Sequence, residues 1–152
     1  MAKKEKLKEA RIKNRRAYHD YAIEQEFTAG ISLTGPEVKS VRAGKASISE
    51  GYCYMTDRGL FIKGMHVAEF KNAGYAEQEP LRDRALLLNK NELKKLRGKL
   101  KDQGYTVVPI ELFFSETGYA KLQIGLGRGK KNYDKREDLK SKDVKREMER
   151  YG

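Results

Sequence analysis

Along residues 18–29 apolar and polar side chains alternate. His19, Tyr21, Ile23, Gln25 and Phe27 fall on one side, and Asp20, Ala22, Glu24 and Glu26 on the other. A period of two predicts a half-buried strand, continuing through residues 31–33 past a bend or bulge at Gly30. Thr34-Gly35-Pro36-Glu37 then has the form of a capping box with proline at an early helical position. A short helix over residues 35–43 follows, ended by Gly44, with Val38 and Val41 inward and Lys39 and Arg42 outward. The period returns to two from residue 46 to 69. Residues 52–55 and 60–63 flank the hairpin turn Thr56-Asp57-Arg58-Gly59, and residues 65–70 extend the second strand. Residues 72–80 predict an exposed loop, and 84–88 a short apolar strand.

A second capping box, Asn89-Lys90-Asn91-Glu92, opens a helix over residues 90–103. Leu93, Leu96 and Leu100 share one face of it, and six basic residues occupy the rest. Two further strands, residues 105–114 and 119–126, are joined by Ser115-Glu116-Thr117-Gly118. About six strands with two short interposed helices do not form an alternating βαβ pattern. They predict a mainly β fold: a small antiparallel OB-like barrel with two or three short helices at its openings.

Charge divides the chain further. The sequence carries 33 Lys+Arg against 22 Asp+Glu. Residues 1–16 hold 8 basic and 2 acidic side chains, a net of +6. Residues 128–152 hold 10 and 6, a net of +4, whereas residues 17–127 hold 15 and 14, a net of +1. The expected organisation is a basic arm (1–16) apart from the core, a nearly neutral barrel (17–127) and a basic tail (128–152). A net +11 with pI near 9.6 points to RNA, DNA or an anionic membrane as partner. No apolar run approaches the roughly 18 residues of a membrane span, and nothing behind the N-terminal cations looks like a secretory signal. The single Cys53 makes no internal disulfide, which suits a reducing cytoplasm. The tail's apolar side chains past Tyr133 are Leu139, Val144, Met148 and Tyr151. Its ion pairs at helical spacing (Asp138 with Lys142, Glu137 with Lys140, Asp143 with Arg146, Glu147 with Arg150) contribute roughly 0.2–0.5 kcal/mol each. That does not hold a helix in water without packing, so the tail is expected to be disordered when free and helical when docked.

Catalytic chemistry finds little support. Gly125-Leu126-Gly127-Arg128-Gly129-Lys130-Lys131 lacks the spacing of a phosphate loop, and no Ser or Thr follows the lysine to hold magnesium. It predicts a flexible exit from the last strand. Cys53 lies in a strand pattern as a small core side chain, and two distant histidines do not suggest a metal site. The expectation is no enzyme, no metal and no cofactor. Binding is better supported. Asn14-Arg15-Arg16-Ala17-Tyr18-His19-Asp20-Tyr21 and Gly129-Lys130-Lys131-Asn132-Tyr133-Asp134-Lys135-Arg136 interleave cations with aromatics, the combination that contacts phosphates and exposed bases.

These two runs become specific alongside Ala29-Gly30-Ile31-Ser32-Leu33-Thr34-Gly35-Pro36-Glu37-Val38-Lys39-Ser40-Val41-Arg42-Ala43-Gly44-Lys45-Ala46, Leu86-Leu87-Leu88-Asn89 and Ile124-Gly125-Leu126-Gly127-Arg128. In order and spacing, from Asn14 almost to the end, the chain resembles the small protein B family, the tmRNA-binding proteins of bacterial trans-translation. The resemblance implies an OB-like barrel that binds the tRNA-like domain of tmRNA and delivers it to stalled ribosomes, without catalysis. It implies that the tail meets the empty decoding centre of the small subunit, with its 16S rRNA, and becomes helical in the mRNA channel. A monomer when free, with no membrane partner, is the accompanying expectation.

Residue by residue, the resemblance places Asn14, His19, Leu87, Asn89 and Lys121 at the tmRNA face. It places Lys130, Lys131, Tyr133, Asp134, Lys135 and Arg136 at the decoding centre and mRNA channel. The residues alone also allow His19 to pack beside the first strand, Leu87 to be core, Asn89 to be only a helix cap and Lys121 a solvated strand lysine. Two positions depart from the family pattern. Thr28 stands where some members have a glutamate linked to tmRNA binding, and Tyr18 replaces a commonly basic residue. Two other classes compete: a general OB-type single-stranded nucleic-acid module, which needs several aromatics on one barrel face, and a phosphotransfer enzyme using residues 125–131.

Overall fold

A computed structural model describes residues 10–71, 78–102 and 104–130. The described chain runs β1 (Ile12–Lys13), α1 (Ala17–Asp20), β2 (Tyr21–Ile31), α2 (Gly35–Arg42), β3 (Ala46–Ser47), β4 (Tyr52–Thr56), β5 (Gly59–Lys63), β6 (His66–Val67), β7 (Arg84–Leu87), α3 (Lys90–Leu100), β8 (Tyr105–Phe114) and β9 (Ala120–Gly129). The main sheet has the order β1-β8-β4-β5-β7-β2-β9, and β9 also pairs with β8. The pairing therefore closes on itself as an antiparallel barrel of six strands, with β1 added beside β8. Closure removes the exposed edges that an open sheet would present. The fold is the mainly β, OB-like barrel expected.

Directly paired residues share a face, so the register separates inside from outside. Phe27, Ile124 and Leu122 on β2 and β9 and Val107 and Leu112 on β8 point into the barrel. Leu60, Ile62 and Leu86 complete its wall, and Val41 and Leu96 seal it from α2 and α3. A β-bulge at Glu24, between Ile23 and Gln25, turns Ile23 to the outer side. There it packs with Ala17, Val108 and Ile110 in a second small cluster. Both capping boxes form: Thr34 with Glu37 and Asn89 with Glu92.

Several expectations need correcting. The strand predicted from residue 18 begins at Tyr21, because Asn14 Oδ1 accepts the Arg16 N–H and the Asp20 N–H bonds the Arg16 carbonyl, winding residues 17–20 into a single helical turn. The register break lies at Glu24 rather than Gly30. The strand predicted over 65–70 shrinks to β6, paired with β3 in a separate two-stranded sheet, because Gly64 at φ +83° turns the chain. The arm does not stay apart from the core: Ile12 packs against it and Asn14 is buried.

Residues 125–129 are no flexible exit either. Gly127 pairs with Ile23 and Thr106, so β9 runs on to Gly129. A Cβ on Gly127 would stand 2.8 Å from the Ala22 carbonyl carbon and closer still to its oxygen. The glycines let three strands approach, which composition alone does not distinguish from flexibility. The helix expected to reach residue 103 ends at Leu100. Residues 1–9, most of the 72–80 loop and the tail beyond Lys130 lie outside the described residues, and with them the tail's expected helix and ion pairs.

Candidate nucleic-acid interface

The outer face of β7, β2, β9 and β8 can be built row by row from the register. Phe113, Lys121, Gly30 and Leu87 form one row across four strands. Glu111, Gln123 and Thr28 form the next, and Val108, Gly125 and Glu26 the one after. Gly30 leaves room for its neighbour: a Cβ there would already touch Leu87 Cβ at 3.4 Å. Leu87 is 62% exposed, so it is not core. An apolar side chain so placed in a row with Lys121 offers ring contact beside phosphate contact.

Asn89 stands two residues beyond Leu87 as the N-cap of α3. Its Oδ1 accepts the Glu92 N–H at 2.8 Å, and Glu92 Oε1 accepts the Asn89 N–H at 3.3 Å. The cap uses the Asn89 oxygen and leaves its exposed Nδ2 donors unused. The fold thus gathers Leu87, Asn89 and Lys121 at one end of the face.

Asn14 and His19 lie at the other end, about 30 Å away along β2 at ~3.3 Å per strand residue. Asn14 is 7% exposed, and its Nδ2 donates to the Pro109 carbonyl at 2.9 Å. Its amide is committed to holding α1 against β8, so it shapes this end of the face rather than reaching out from it. The His19 side chain is 86% exposed. Its Nδ1 meets Asp20 Oδ1 at 2.9 Å, and Arg16 Nε lies 3.4 Å from the other Asp20 oxygen. The Asp20 carboxyl is held below its ordinary range, chiefly by the His19 hydrogen bond, with Arg16 and Lys130 adding to it. His19 therefore presents its ring and Nε2 outward. Lys130, expected to act with the tail, stands close enough to Asp20 for its charge to be felt there. Lys131, Tyr133, Asp134, Lys135 and Arg136 lie outside the described residues.

The acids of this face are occupied. Arg11 Nε lies 2.6 Å from Glu111 Oε2, and the Arg11 guanidinium covers the Phe113 ring at 4.8 Å. Glu26 accepts both the Tyr18 hydroxyl and the Gln123 amide. That hydrogen bond, followed by desolvation, pushes the Tyr18 hydroxyl up to about 12 and keeps it protonated. Thr28, exposed between the two acids, carries no charge into the middle of the face. With Glu111 neutralised by Arg11 and Glu26 clamped by two donors, the surface between its two ends does not repel a polyanion strongly.

One network escaped the sequence reading. Arg84 is fully buried, and Glu37 Oε2 accepts from its Nη2 at 2.6 Å and its Nε at 3.1 Å. Arg82 Nη2 reaches Glu37 Oε1 at 2.8 Å, and Arg84 Nη1 donates to the Met65 carbonyl at 3.0 Å. The Glu37 carboxyl falls to about 2: burial raises it, and the two arginines together with the Thr34 N–H more than reverse that. This cluster ties α2 to β7, the strand that carries Leu87 and leads to Asn89. Its signal was an arginine at the inward register of a short apolar strand, which demands a buried acid.

Cys53 is buried, and desolvation pushes its thiol well above the ordinary range, the opposite of an activated nucleophile. Among the described residues no cluster of His, Cys, Asp or Glu could hold a metal ion, and no helix is long and apolar enough to cross a membrane.

The family model described as SmpB protein matches residues 11–152. The SsrA-binding protein of Phocaeicola vulgatus is 52% identical over 139 residues, 91% of this chain and 93% of that protein. The SsrA-binding protein of Cytophaga hutchinsonii is 46% identical over 99% of this chain and 98% of its own length. A solved structure described as "tmRNA-SmpB: a journey to the center of the bacterial ribosome" superposes with a TM-score of 0.68 at 44% identity, covering 90% of this chain and 95% of that one.

Proposed function

The chain belongs to the SmpB protein family, and from that membership we infer that it is an RNA-binding adaptor, not an enzyme: it binds tmRNA and acts with it in the rescue of stalled ribosomes by trans-translation. The observation that carries this reading is the family match through residues 11–152, which takes in the basic tail as well as the barrel.

The division of labour is our proposal. The barrel's outer face receives the tRNA-like domain, with Leu87, Asn89 and Lys121 at one end and His19 at the other. Folded RNA is recognised by shape, phosphate contact and stacking of unpaired bases, and a face with two separated contact regions suits a folded object more than a single strand. Asn14 supports the α1 end from beneath. The tail, with Lys130, Lys131, Tyr133, Asp134, Lys135 and Arg136, enters the vacant decoding centre, meets 16S rRNA and winds into a helix along the empty mRNA channel. An occupied channel excludes it, which separates stalled from translating ribosomes. The setting is the cytoplasm, where ribosomes work, and the free protein is a monomer.

A general single-strand module would need a row of exposed aromatics on one face. On this face Phe113 is covered by Arg11, and Tyr18 hydrogen-bonds Glu26. A competition assay tests the choice. The labelled tRNA-like domain of tmRNA should resist displacement by unstructured RNA of equal length. Displacement at equal concentration would refute the adaptor reading.

A further inference from the structure

At the end of the barrel where the tail departs, Ala22, Arg128 and Tyr105 pair across β2, β9 and β8. Tyr105 lies on the inner side of its strand and packs against the core. Its ring carries two cations: the Arg128 guanidinium carbon 4.4 Å from its centroid and the Lys99 ammonium, from α3, at 5.4 Å. Its hydroxyl donates to Glu24 Oε1 at 2.8 Å, which engages that carboxylate. Neither cation forms an ion pair with a described carboxylate. Arg128 Nε is buried and has no hydrogen-bond partner among the described residues.

A buried unpaired donor on a charged group carries a desolvation cost of about 1–3 kcal/mol or more. Two like charges gathered on one ring add repulsion. A fold that keeps this arrangement at a barrel opening leaves a site that an anion would complete. We propose that Arg128 and Lys99, set on Tyr105, form a phosphate-binding site for the RNA backbone at the root of the tail. At that site a phosphodiester accepts from the outer nitrogens of the Arg128 guanidinium and from the Lys99 ammonium, and charge-assisted bonds of this kind are about twice as strong as neutral ones. The inference rests on the RNA-binding reading above. It adds a contact distinct from Lys121, at the opposite end of β9, and from Leu87 on β7 and Asn89 at the start of α3.

The phosphate has two possible sources, tmRNA and ribosomal RNA. The test measures salt dependence in both settings. Wild type, Lys99→Gln, Arg128→Gln and Arg128→Lys are titrated against the isolated tRNA-like domain, and their complexes with full tmRNA against ribosomes stalled on truncated mRNA. Each lost phosphate contact should lower the log–log salt slope by roughly 0.7–0.9. A fall for both glutamine variants with the isolated domain assigns the site to tmRNA. A fall in the ribosome arm alone assigns it to ribosomal RNA. Arg128→Lys should restore most of the slope. Lys99→Gln is a substitution of an exposed side chain, so it reports binding even where Arg128→Gln perturbs folding. Unchanged slopes in both arms would overturn the site. Failure of the wild type to bind the tRNA-like domain would instead sink the adaptor reading itself.

Discussion

Replacing Glu37 by Gln isolates the buried cluster that ties α2 to β7. The substitution keeps the side chain's shape and removes its charge, leaving Arg84 fully buried beside an amide that offers donors where an acceptor oxygen stood. Removing one partner of a buried ion pair costs about 3–5 kcal/mol. Linkage gives an independent figure. The carboxyl moves from an ordinary 4.5 to about 2, and each unit is worth ~1.4 kcal/mol, so the charged form contributes about 3 kcal/mol. Because the folded value lies below the unfolded one, the unfolded chain takes up the proton first as pH falls. The contribution is therefore complete above pH 4.5 and disappears as pH drops through about 2. Denaturant unfolding of wild type and Glu37→Gln, followed from pH 7 to pH 3, should show a gap of about 3 kcal/mol at neutral pH. The gap should hold to just above pH 4.5 and narrow below it. A gap under about 1 kcal/mol at pH 7, the value of a surface pair, or one that does not change with pH, would refute the reasoning.

Other outcomes follow from single residues. Leu87→Ala should leave the unfolding midpoint within about 0.5 kcal/mol of wild type, as an exposed side chain does, while tmRNA affinity measured by filter binding falls. Asn89→Ala should lose about 1 kcal/mol with the helix cap; Asn89→Asp should recover that stability but not RNA affinity, which separates capping from contact. Gly127→Ala forces a side chain into the Ala22 carbonyl and should destabilise by 1–3 kcal/mol or more, seen in thermal unfolding. Cys53 should resist a thiol reagent at pH 8 in the native protein and react only as the chain unfolds, since burial suppresses its thiolate.

The elements with strong local signals were legible in the chain: both capping boxes, the 56–59 hairpin turn and the 105–114 strand all stand where the residues place them. What could not be read locally depends on distant partners. The turn at 17–20 needs Asn14 anchored to the Pro109 carbonyl, 95 residues away. The rigidity of residues 125–129 comes from strands on both sides, so glycine content alone suggested flexibility. Arg84 looked like an odd member of an apolar strand until Glu37, 47 residues earlier, supplied its charge. Among the candidate contacts, Leu87 and Lys121 meet only through Gly30, a juxtaposition that register creates and spacing does not. The identity of the site residues came through resemblance; the structure adds that one of them, Asn14, is spent internally.

The central claim is that binding tmRNA and sensing the ribosome reside in different parts of the chain. The most direct measurement compares the full protein with one lacking residues 134–152. It pairs the affinity for the tRNA-like domain with peptide tagging on ribosomes stalled without a stop codon. The account predicts nearly unchanged affinity and no tagging. Loss of affinity for tmRNA on removing the tail, or tagging that persists without it, would contradict the account.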